Sequence, residues 1–123
     1  MNTWLMLSAG VLALLAVAHS IIGERLLIGP LTRRDDLPGM RGDGLLAKRT
    51  LRFAWHITSA FGLGVAALLI VLARSDDDVA TPARIIALTL AASGLLALVI
   101  ARGRHPAWIL FFVAAVLAWL GST

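Results

Sequence analysis

The chain has 123 residues, enough for one domain; 59% are hydrophobic and only 15% charged, against about 45–50% and about 25% in an ordinary soluble domain. With a mean hydropathy of +0.89, this excludes a soluble enzyme, a disordered chain and a nucleic-acid-binding domain. Cysteine is absent, which removes disulfides, thiolate metal sites and thiol nucleophiles. The net charge of +4 lies beside apolar segments, so it speaks to membrane topology and not to nucleic acid.

Four stretches without Lys, Arg, Asp or Glu are apolar enough to span a bilayer: about residues 3–22, 53–73, 85–101 and 106–120. A hydrocarbon core about 30 Å thick needs about 20 helical residues. The first stretch meets that length. Ala16-Val17-Ala18 before His19 has the form of a signal-peptidase site, and cleavage there would leave His19 as a copper-binding N-terminus. No basic n-region precedes it, so the segment is read as a retained span.

A long loop, about residues 23–52, follows. Gly29-Pro30 is expected to end any extension of the first helix, because proline cannot continue it. Residues 32–44, rich in Arg, Asp, Gly and Pro, form a surface turn region. Leu45, Leu46, Lys48, Arg49 and Arg52 make an amphipathic lead-in to the second span, resting on anionic headgroups or serving as a plain juxtamembrane basic segment. The second span ends at an acidic run, Asp76 to Asp78, read as a solvated turn. Thr81-Pro82 starts the third span as an N-cap with proline at the first helical position. His105-Pro106 starts the fourth in the same way. That last stretch is short and needs residues 121–123 or local thinning to cross. Trp4 and Trp119 mark one interface, and Trp55 and Trp108 the other.

Nine basic residues lie in the first loop and around Arg102 and Arg104, against only Arg74 and Arg84 in the other connection. Positive charge stays cytoplasmic. The expected fold is an all-α integral membrane protein, a single up-down-up-down bundle of four transmembrane helices in a bacterial inner membrane. Both termini then lie on the non-cytoplasmic side.

The histidines are the candidate chemistry. His19, His56 and His105 each lie near the cytoplasmic end of a span, and Glu24 is the only glutamate. An ionisable group at such a position is a functional-site hypothesis. Three imidazoles and a carboxylate suit zinc, iron, manganese or copper, with Glu24 as a ligand or general base. His19 and His56 alone suit the axial positions of a haem. Either cofactor would act on a lipophilic substrate. The structural alternative is that His19 and His56 bond Ser20, Thr58 or backbone carbonyls as polar contacts between helices. A proton relay is a third use of the same side chains.

Two features qualify the cluster. His19 and Glu24 are five positions apart, about 140° around a helix. Arg52, one turn before His56, would repel a bound cation unless it pairs with Glu24. Beyond the bilayer itself, the competing class is a non-enzymatic accessory subunit of a membrane complex, or a homo-oligomeric channel. It draws on the small-residue pairs Ala9/Ala13, Ala60/Gly64 and Ala114/Ala118. No carboxylate lies near the midplane, which disfavours a proton-coupled exporter.

Overall fold

The structure, a computed structural model, describes residues 1–38, 44–100, 102–103 and 106–123. Every regular element among the described residues is helical. Helix α1 covers Thr3–Gly23, and a π-helical segment, Glu24–Ile28, runs into the one-turn helix α2, Gly29–Thr32. Then come α3 (Gly44–Arg74), α4 (Ala80–Ile100) and α5 (Ala107–Leu120). Three helical stretches are long and apolar enough to cross a membrane: Thr3–Thr32, Gly44–Arg74 and Ala80–Val99. Helix α5 has 14 residues, about 21 Å at about 1.5 Å each. It continues as turns, with Gly121 N–H donating to Leu117 at 3.0 Å and Ser122 N–H to Trp119 at 3.0 Å.

Much of the expected first loop is therefore helix. The lead-in around Lys48 and Arg49 is the beginning of a 31-residue α3, because its apolar and basic residues keep a helical period into the span. At the other end of the loop, Pro30 does not stop the chain. A proline breaks a helix by losing an N–H and by crowding the preceding carbonyls. Here the turn before it is widened into a π-helix, with Gly29 N–H donating five residues back to the Glu24 carbonyl. Only glycine fits at that position. A Cβ on Gly29 would come within 2.8 Å of the Glu24 carbonyl oxygen.

The contacts gather into two compact units, Met1–Leu15 with Gly62–Thr123, and Ala16–Phe61. In the first, Asn2 caps α1, its Oδ1 accepting the Trp4 and Leu5 N–H groups at 3.1 and 3.3 Å. Leu5, Ala9 and Leu12 of α1 share a core with Leu69 of α3, Ile86 and Leu90 of α4, and Ala114 and Ala118 of α5. The alanines let backbones approach closely, and buried Ser8 donates to the Ala114 carbonyl at 2.8 Å. Gly64, by contrast, faces open space. Helix α4 starts one residue before Thr81, and its side-chain cap is Asp78, whose Oδ1 accepts Ala80 N–H at 2.9 Å. Pro82 falls in the first turn, where its missing N–H costs nothing. Large apolar side chains such as Leu14, Leu68, Val71, Leu88 and Val116 are exposed. In a soluble monomer such a surface would aggregate; against lipid it is matched.

Candidate functional site

The second unit carries nearly every polar residue singled out above. Ser20 of α1 and Glu24, the first residue of the π-helical segment, stand four residues apart and so lie on one face. Along α3, Arg52, His56 and Ser59 repeat at helical spacing. The two helices run antiparallel here, with Arg52 opposite Glu24 and His56 opposite Ser20.

His56 is held from both sides. Its Nδ1 lies 2.7 Å from Ser20 Oγ, and its Nε2 lies 3.1 Å from Glu24 Oε2. The other carboxylate oxygen, Oε1, accepts from Arg52 Nη2 at 2.9 Å. Arg52 also donates to Thr32 Oγ1 at 3.1 Å. Thr32 in turn donates to the Ile28 carbonyl at 2.8 Å, which fixes the last link to the π-helical segment. An unbroken chain results: Ser20, His56, Glu24, Arg52, Thr32.

Donor counting assigns the protons of neutral His56. An ionised carboxylate can only accept, so Nε2 carries the hydrogen and donates to Glu24. Nδ1 is then the acceptor, and Ser20 donates to it. If His56 takes up a proton, Nδ1 becomes a donor and the Ser20 hydroxyl must reverse. The Glu24–Arg52 pair needs no change in either state.

His19 belongs to a neighbouring set. Thr58 gives its single proton to the Trp55 carbonyl at 2.7 Å, so at 3.1 Å it accepts from His19 Nε2–H. The Trp55 indole stacks on the His19 ring, with centroids 4.2 Å apart and planes 10° from parallel. Its Nε1–H donates to the His19 carbonyl at 3.1 Å. The indole lies flat against Gly23, where a Cβ would approach the ring to 2.4 Å. Ser59, buried one turn beyond His56, has no hydrogen-bond partner among the described residues.

The structure thus brings Glu24 to His56 and leaves His19 with Trp55 and Thr58. The 140° between positions 19 and 24 keeps them apart, because the π-helical widening begins only at Glu24 and leaves the turns between them α-helical. The contacts to Ser20 and Thr58 are those of the structural alternative. No three His, Asp or Glu side chains among the described residues are grouped so as to hold a metal ion, and His105 lies outside the described residues. Arg52 pairs with Glu24, the condition on which its nearness to the site was tolerable.

Sequence reasoning undervalued Trp55, Gly23 and Thr32. Beyond the interfacial position its sequence suggests, Trp55 packs against His19 and Gly23. The pairing of a glycine on one segment with a tryptophan on the next was the available signal. Chemically, serine, imidazole and carboxylate in one hydrogen-bonded line resemble a nucleophile, a base and an orienting group. Neither of the two clefts described in this unit is lined by Ser20. Nucleophilic attack needs room for an electrophile, whereas proton exchange along the line needs none.

Compared with known proteins, the chain matches no family model, no curated protein and no solved structure. Function has to be read from its own residues.

Proposed function

We propose that this is a small multi-pass membrane protein whose working centre is an acid–base relay, with His56 as the proton-exchanging group. The observation that carries the reading is the continuous Ser20–His56–Glu24–Arg52 chain. Imidazole is the side chain suited to gaining and losing a proton near neutrality. Glu24 fixes its tautomer, Arg52 holds Glu24 in place through their 2.9 Å contact, and Ser20 reports the protonation state by the direction of its hydroxyl. In the proposed topology the four helices alternate across a bacterial inner membrane with both termini outside. The relay then faces the cytoplasmic headgroups, beside the basic residues of the first connection.

Metal or haem binding through His19, His56, His105 and Glu24 remains the competing proposal. It requires His56 to surrender the Ser20 or Glu24 contact to a metal. An accessory-subunit role, in which the chain of contacts only joins helices, is the second competitor.

The test is NMR titration of ring-labelled histidine in the detergent-solubilised protein, with Ser20→Ala and Glu24→Gln as variants. The relay predicts that His56 titrates reversibly and that both variants move its midpoint and change its tautomer balance. A His56 resonance that does not titrate, or that neither variant moves, refutes it. Stoichiometric metal or a Soret band in protein from replete cells, lost in both His19→Ala and His56→Ala, would establish the competing cofactor reading instead.

A further inference from the structure

A cleft of about 580 Å³ opens beside the relay, between the end of α2 and the first turns of α3. From α3 it is lined by Leu45, Lys48, Arg49, Arg52 and Phe53, which share one helix face. Thr32 and Arg33 close the other side. Four cations therefore meet around one open space. Two are already neutralised: Arg52 by Glu24 at 2.9 Å, and Lys48 by Asp35 at 3.4 Å. Arg33 and Arg49 have no carboxylate partner among the described residues. Four cations around one space repel each other, an anion between Arg33 and Arg49 would relieve that repulsion, and guanidinium geometry favours phosphate.

The apolar residues say which anion. Leu45 and Phe53, at opposite ends of the lining face, are both exposed. Phe53 lies where α3 passes from its basic turns into the apolar run, the level at which a headgroup gives way to acyl chain. A soluble phosphate would use the guanidiniums and gain nothing from Phe53; a phospholipid would use both. We infer that this cleft binds the phosphate of an anionic glycerophospholipid, held by Arg33 and Arg49, with its acyl chain along Phe53. The inference does not depend on the relay, since neither arginine belongs to that hydrogen-bonded chain.

The experiment is native mass spectrometry of the full chain from micelles containing phosphatidylcholine and phosphatidylglycerol. The wild-type protein should retain phosphatidylglycerol in preference to phosphatidylcholine. With each juxtamembrane cation contributing on the order of 1 kcal/mol to anionic lipid binding, Arg33→Gln with Arg49→Gln should lower that retention about tenfold or more. Arg33→Lys with Arg49→Lys keeps the charge but not the fork and should retain more phosphatidylglycerol than the double glutamine variant, which separates lost binding from lost folding. Arg25→Gln, outside the cleft lining, should behave as wild type. Equal retention of both lipids, or undiminished phosphatidylglycerol on the double glutamine variant, overturns the inference. So does displacement of the lipid by inorganic phosphate, which would show a soluble-anion site.

Discussion

Gly23→Ala gives the sharpest test of how the second unit is built. The new Cβ would lie 2.4 Å from the Trp55 ring, whereas carbon atoms rest at about 3.5 Å or more. The indole must retreat by about 1 Å. It cannot do so freely, because its Nε1–H is bonded to the His19 carbonyl at 3.1 Å and its face is stacked on the His19 ring at 4.2 Å. A retreat of about 1 Å stretches that bond past the limit of a hydrogen bond. The lost bond is worth about 1 kcal/mol and the lost stacking about 0.5–1.5 kcal/mol. Together the expected destabilisation is about 1.5–2.5 kcal/mol, within the usual range for overpacking. Gly64→Ala is the matched control, since nothing lies within 4 Å of its Cβ position; it should be neutral or stabilise by up to about 1 kcal/mol. Equilibrium unfolding of the micellar protein in increasing SDS measures both. Fluorescence of a variant retaining only Trp55 reports whether the ring moves. Equal midpoints for the two variants, with unchanged Trp55 emission, would refute the packing argument.

Other outcomes follow from the same contacts. Gly29→Ala should disrupt the π-helical turn, because the clash is with the Glu24 backbone and not with a movable side chain; hydrogen exchange should rise across Glu24–Ile28, and unchanged protection would contradict this. Ser8→Ala removes a buried bond to the Ala114 carbonyl and should cost about 1–2 kcal/mol in the SDS titration; no change in midpoint would mean the bond contributes nothing. In the connection after α2, the Arg34 guanidinium holds the Asp36 carboxyl below its ordinary value. The contribution of that pair is complete above the unfolded aspartate range and is lost as pH falls through the lowered value. Carboxyl NMR should show the Asp36 midpoint rising in Arg34→Gln, and an unmoved midpoint would dissociate the two. For the proposed topology, alkaline phosphatase fused after Thr123 should be active, and an inactive fusion beside a fluorescent C-terminal reporter would invert it.

The sequence by itself determined the helical class and the four apolar stretches, three of which lie on helices long enough to cross a membrane, because hydrophobic length against bilayer thickness is a property of the chain alone. It also singled out Glu24, Arg52 and the histidines His19, His56 and His105, which stand out in an apolar chain before any fold is known. What it could not decide was who meets whom. Spacing along one helix put His19 and Glu24 on different faces but said nothing of which α3 residue would fill each. Only the antiparallel pairing of α1 with α3 set His56 between Ser20 and Glu24 and gave His19 to Trp55 and Thr58. The extent of helix was likewise tertiary. Pro30 reads locally as a stop, yet the π-helical turn ahead of it carries the helix on to Thr32. There the Thr32 hydroxyl completes the line that begins at Ser20. Local propensity describes one segment at a time; a hydrogen-bonded chain through two of them exists only once they are packed.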